Sequence, residues 1–133
     1  MDIRCHKEDG VAVLALAGSL ETRTAVEFEE VVRKLLETDA CHVVIDLEAL
    51  DQLTSAGIRE LVKLRNRLDG LGGSLVLCAL REQVATVVEI SGFQGHFIIE
   101  PSRESALQRV VCADDGAERG GSGSRLSRLV LRL

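Results

Sequence analysis

Val43-Val44-Ile45-Asp46-Leu47-Glu48-Ala49-Leu50-Asp51-Gln52-Leu53-Thr54-Ser55-Ala56-Gly57-Ile58-Arg59 changes character twice along its length. His42 to Leu47 is a short β-branched and apolar run, the signature of a buried strand. Asp46 to Leu53 then reads as a polar loop. Thr54-Ser55-Ala56-Gly57 opens a helix whose apolar positions, Ile58, Leu61, Val62 and Leu68, recur at helical spacing up to a stop near Gly70. A helix start carries unpaired N–H groups and the positive end of the dipole, so a phosphate added to either hydroxyl would be held where it was attached. Ala56 and Gly57 are small enough to let another surface approach. The plainer reading is that Thr54 or Ser55 is only an N-cap, which any such helix uses, and on these residues alone the plainer reading is favoured.

Working outward, Ile3 and Cys5 alternate with polar neighbours, and Asp9-Gly10 separates them from the continuous run Val11 to Ala17. Asp-Gly between apolar runs predicts a β-hairpin whose second strand is buried on both faces and central in the sheet. Between Thr24 and Thr38, Ala25, Phe28, Val32, Leu35 and Leu36 mark an amphipathic helix. Downstream, Ser74 to Ala79 reads as a buried strand, and Val84, Val87 and Val88 mark a helix ending near Gly92. Phe97 to Ile99 reads as a short strand, and Ala106, Leu107, Val110 and Val111 follow a helix start at Pro101-Ser102. The order is ββαβαβαβα, an α/β domain with about five strands and four helices. Strict alternation after the hairpin implies right-handed crossovers and a mixed, mainly parallel sheet, with function at the carboxyl ends of its strands.

The chain has 133 residues, 46% hydrophobic and 28% charged. This suits one globular domain and excludes a chain disordered over most of its length. Residues 1–115 are expected to form that domain. Residues 116–133 read as a flexible Gly/Ser-rich and basic tail, in which Arg119, Arg125, Arg128 and Arg132 face only Glu118. The net charge of −5 is thus −8 on the body and +3 on the tail. An acidic body whose aromatics are three Phe argues against nucleic-acid binding, and no apolar run is long enough for a bilayer span. Met1 is followed by Asp2, Arg4, His6 and Lys7 rather than a signal core, so a cytoplasmic protein with no membrane association is expected. The same acidic, patch-free surface predicts a monomer when free.

Catalytic chemistry finds little support. Cys5, Cys41, Cys78 and Cys112 lie too far apart for a zinc site or a redox dithiol. The repeated dipeptides Cys5-His6 and Cys41-His42 put adjacent residues on opposite faces of a strand. Gly70-Leu71-Gly72-Gly73 follows a helix and precedes a strand, the reverse of a nucleotide-binding loop, and reads as a helix stop. Neither metal nor cofactor is expected, and no catalytic constellation is present.

Asp46-Leu47 and Leu53-Thr54-Ser55-Ala56-Gly57-Ile58-Arg59, the upstream Gly18-Ser19-Leu20-Glu21 followed by Ala25, and the element order together resemble the STAS domain of anti-sigma factor antagonists, over residues 1 to about 112. The resemblance implies a bacterial partner switch. The unphosphorylated antagonist binds an anti-sigma factor that is also a serine kinase of histidine-kinase-like ATPase fold, phosphorylation at the second helix start releases it, and a metal-dependent serine phosphatase restores binding. The antagonist itself is not an enzyme. Many members carry the acceptor serine directly before the glycine, where this chain has Ala56. Ser55 is then the expected acceptor, with Thr54 as the alternative or no acceptor at all, and Glu21 stands where aspartate is common. Leu20, Glu21, Leu53, Thr54, Ala56, Gly57, Ile58 and Arg59 are the expected partner-binding residues. A competing implication is a STAS scaffold or sensor subunit of a larger regulatory assembly, without a kinase cycle.

Overall fold

The computed structural model describes residues 1–8, 10–38 and 40–117, with side chains described as far as Val110. Its elements are β1 (Asp2–Glu8), β2 (Val11–Leu20), α1 (Thr22–Leu36), β3 (His42–Leu53), α2 (Ser55–Gly70), β4 (Ser74–Cys78), α3 (Glu82–Ser91), β5 (Ile98–Glu100) and α4 (Arg103–Ala117). The expected order is reproduced, with a 3₁₀ turn at Gln94–His96 added before β5. The expected tail begins at residue 116, yet α4 carries its backbone through Ala117. Residues 118–133 lie outside the described residues.

The five strands run in the order β1-β2-β3-β4-β5, antiparallel between β1 and β2 and parallel thereafter. β3 therefore occupies the middle; β2 is interior, flanked by β1 and β3. Burial on both faces follows from the crossovers, which put helices on both sides of the sheet. On one face Leu14, Leu16, Ile45, Leu47, Leu75 and Leu77 pack with Phe28 of α1, Leu61 and Leu64 of α2 and Val84 of α3. On the other, Val11, Val13, Val44, Val76 and Cys78 pack with Ala106 and Val110 of α4.

Helix limits follow local chemistry. α1 buries Thr24, Phe28, Val32 and Leu35, one stripe at helical spacing, and its last turn carries Arg33 and Lys34 where the dipole favours cations. α2 ends as Gly73 N–H reaches back to Leu68 O at 2.8 Å while Gly72 takes φ +77°, so the Gly-rich segment is a helix stop.

β3 departs from expectation. The segment expected to be a loop from Asp46 onward is strand, and pairing with β2 continues to Leu20↔Leu53. Two register shifts, between Ala15 and Ala17 and between Gly18 and Ser19, give β3 extra residues opposite β2. Those bulges bring Leu47, Leu50 and Leu53, spaced by three, to the same buried face. A period of three matches neither a regular strand nor a helix, and so the segment reads as a loop in the sequence.

Candidate functional site

β2 and β3 are parallel neighbours, so both deliver their carboxyl ends to one edge of the sheet. Leu20 closes β2 and Glu21 follows it; Leu53 closes β3 and Thr54 follows. The backbone joins the two exits: Thr54 N–H donates to Leu20 O at 3.1 Å. Residues separated by more than thirty positions thus meet at one edge of the sheet.

The two hydroxyls at that helix start have different surroundings. Thr54 is the N-cap: its Oγ1 accepts from Gly57 N–H at 3.3 Å and lies 3.4 Å from Leu20 O. Ser55 is the first helical residue, is exposed, and its hydroxyl has no hydrogen bond among the described residues. Helix geometry leaves the N–H groups of Ser55 and Ala56 without intrahelical acceptors, beside the positive end of the dipole. α2 has no acidic residue in its first turn to offset that potential.

Of the expected contact residues, Glu21, Thr54, Ala56 and Arg59 reach the surface, fully or in part. Leu20, Leu53 and Ile58 do not: all three are core residues, at most 3% exposed. They shape the edge from beneath. Gly57 is buried as well, and a Cβ built on it would stand 2.4 Å from Leu20 O and 2.8 Å from Leu53 Cδ1. Its small size is used by the chain's own packing, not by an approaching surface as the sequence suggested; of the two small residues only Ala56 is partly exposed.

Glu21 is the N-cap of α1. Its N–H donates to Thr24 Oγ1 at 3.0 Å, and that hydroxyl donates to Ser19 O at 2.8 Å, fixing the turn out of β2. The Glu21 carboxylate lies 3.4 Å from the largely exposed Arg23 guanidinium. Asp46 has another function than the edge. It is buried on the α4 face, where Oδ2 accepts from Arg103 Nε at 3.1 Å and Nη2 at 2.8 Å while Oδ1 accepts from Glu48 N–H at 3.0 Å. The hydrogen bond to Asp46 holds Arg103 above its ordinary pKa. Burial, reinforced by the Asp46 charge, pushes the neighbouring Cys78 thiol up to about 12. Among the described residues no His, Cys, Asp and Glu side chains cluster in a way that would hold a metal ion.

Sequence reasoning did not find Arg81 and Gln83. Both lie at the start of α3 and donate to β3 next to the site, Arg81 to Glu48 O at 2.7 Å and to Asp51 Oδ1 at 3.0 Å, Gln83 to Asp51 O at 3.4 Å. Nothing in their local sequence distinguishes them from other polar residues of a first helical turn.

A model of the STAS domain family matches residues 2–106. The chain belongs to the STAS domain family. It is 35% identical over 106 residues to BtrV of Bordetella bronchiseptica, to which the role of anti-sigma factor antagonist is ascribed, covering 80% of this chain and 91% of that one. Its fold is also that of an anti-sigma factor antagonist from Mycobacterium paratuberculosis, with a TM-score of 0.77 at 24% identity over 83% of this chain and 93% of the other. SpoIIAA in its unphosphorylated form aligns with a TM-score of 0.71 at 17% identity over 84% of this chain and 97% of that one. The Bacillus cell fate determinant SpoIIAA in its phosphorylated form gives 0.63 at 16% identity, over 82% and 99%. At these identities the likeness to the solved structures is one of fold. No helix among the described residues of this STAS domain is long and apolar enough to cross a membrane.

Proposed function

We propose that this STAS domain is an anti-sigma factor antagonist in a bacterial partner switch, a binding module without catalytic activity of its own. Its unphosphorylated form binds an anti-sigma factor that is also a serine kinase of histidine-kinase-like ATPase fold. That kinase phosphorylates Ser55 and the complex separates; a metal-dependent serine phosphatase resets it. The relative BtrV, to which the antagonist role is ascribed, supports the class of function. SpoIIAA, which shares the fold, is known in both phosphorylation states.

The observation that carries the assignment to Ser55 is the division between the two hydroxyls. Thr54 Oγ1 is engaged as the helix cap, whereas Ser55 presents an exposed hydroxyl in the first turn of α2. Phosphorylation there adds up to about two negative charges where a partner must come close over Ala56. Repulsion and desolvation then act within the interface, while the dipole and free N–H groups stabilise the phosphate in the separated protein. Both effects favour release. Glu21, Thr54, Ala56 and Arg59 supply the accessible contacts around it.

The test is incubation of the full chain with serine kinases of this ATPase class from the same organism and ATP, followed by intact mass and peptide mapping. One phosphate on Ser55, absent from Ser55→Ala and retained by Thr54→Ala, is expected. Phosphate on Ser55→Ala but not Thr54→Ala moves the acceptor to Thr54. A wild-type chain that binds a partner assembly yet never takes phosphate replaces the switch with the scaffold role.

A further inference from the structure

We propose that Arg81 is a positioning residue for the acceptor segment, holding the second half of β3, and through it the Thr54–Ser55 helix start, in place of an adjacent strand. This deepens the reading of Ser55 given above and rests on it for its functional consequence.

Pairing between β3 and β4 stops at Asp46↔Cys78, whereas pairing between β3 and β2 continues to Leu20↔Leu53. From Leu47 to Leu53 the strand is therefore paired along one edge only, and the two register shifts fall in or beside this half. A singly paired and bulged strand opens locally more readily than a ladder bonded on both sides. This half runs directly into Thr54 and Ser55.

The chain leaves β4 through Ala79, whose φ of +58° makes it the one non-glycine residue in the left-handed region among the described residues. Its N–H donates to Glu100 O at 3.2 Å. Two residues later Arg81 lies against the open edge of β3. Nε donates to the carbonyl of Glu48 at 2.7 Å and Nη1 to the carboxylate of Asp51 at 3.0 Å. Gln83 Nε2 adds a longer contact to the carbonyl of Asp51 at 3.4 Å. Side-chain donors thus take carbonyl positions that a longer β4 would have bonded. A guanidinium makes the two Arg81 bonds from one rigid plane, which an ammonium does not reproduce. The Arg81 and Asp51 side chains are 47% and 65% exposed, so the pair adds little to global stability and its effect is local order.

The test uses the full chain as wild type, Arg81→Ala and Arg81→Lys, with Arg33→Ala as the control because Arg33 makes exposed ion pairs elsewhere, with Glu30 and Glu37. Amide hydrogen exchange across residues 48–54 is expected to rise about tenfold in Arg81→Ala, less in Arg81→Lys and not in Arg33→Ala, with β4 and the interior of α2 unchanged. With the kinase that modifies wild type, KM for the Arg81→Ala chain as substrate should rise about fivefold at nearly constant kcat, and Arg81→Lys should recover part of it. Unchanged exchange across 48–54 overturns the clamp. Faster exchange with unchanged KM overturns its positioning of the acceptor, and faster exchange throughout the chain with a large fall in Tm makes Arg81 a general stabiliser and overturns the proposal. If wild type takes no phosphate the assignment of Ser55 fails, and exchange from Glu48 to Thr54, whose N–H is bonded to Leu20 O, decides the clamp by itself.

Discussion

Gly57 and Leu20 meet at a distance no side chain would permit: a Cβ on Gly57 would lie 2.4 Å from the Leu20 carbonyl oxygen. The first turn of α2 is pressed onto the end of β2, so the turn bearing Glu21 and the turn bearing Ser55 form one packed unit. Gly57→Ala should therefore destabilise the fold by about 1–3 kcal/mol through overpacking against backbone, although alanine is intrinsically the better helix former by about 1 kcal/mol. Urea unfolding measures it, and a variant as stable as wild type would show that the contact relaxes without cost.

The two hydroxyls should separate stability from binding. Thr54→Ala loses the cap to Gly57 N–H and should cost about 1 kcal/mol in denaturant unfolding. Ser55→Asp places a carboxylate where the dipole favours it, so stability should stay level or rise by about 0.5 kcal/mol. The same substitution should weaken kinase binding by about ten- to a thousandfold in calorimetric titration, whereas Ser55→Ala should bind normally and resist release by ATP.

Charge reversal at Glu21 acts on the adjoining turn. The carboxylate pairs with Arg23, itself largely exposed, while the turn is fixed by backbone and by Thr24. Glu21→Arg should weaken kinase affinity by about 1–3 kcal/mol and, because it sets a cation at the N-cap of α1, lower stability by about 0.5–1 kcal/mol. Wild-type affinity in the variant would place the interface elsewhere.

On the opposite face, Asp46→Ala should be among the more damaging polar substitutions. It removes two charge-assisted bonds from Arg103 and the acceptor for Glu48 N–H. Because Arg103 retains access to water, the loss should be about 2 kcal/mol, below that of a fully enclosed pair. Thermal or urea unfolding checks it, and neutrality would mean that the pair contributes nothing net.

Thiol reactivity should follow burial. Cys78 is fully buried and its thiol is held near 12, while Cys5 is exposed and its pKa is raised by partial desolvation. With an alkylating reagent near pH 8, peptide mass spectrometry should find Cys5 modified before Cys78, which stays untouched until the chain unfolds. Early labelling of Cys78 would reveal local opening between β4 and α4.

The sequence by itself determined the element order, the helix limits and the hairpin, because those depend on short-range periodicity and on stop residues such as Gly70 to Gly73 that act within one turn. It also placed the hydroxyl pair at a helix start, since a cap is a local event. Tertiary structure decided the rest. The spacing of Leu47, Leu50 and Leu53 becomes a strand only when bulges opposite β2 turn all three inward. Gly57 is tied to Leu20 and Arg81 to Glu48 and Asp51 across thirty or more residues each, through contacts that exist only once the parallel strands are in register. Local spacing carries no record of such pairings, so the exposed Ser55 and the engaged Thr54, adjacent in sequence and alike in chemistry, were distinguished only by the fold.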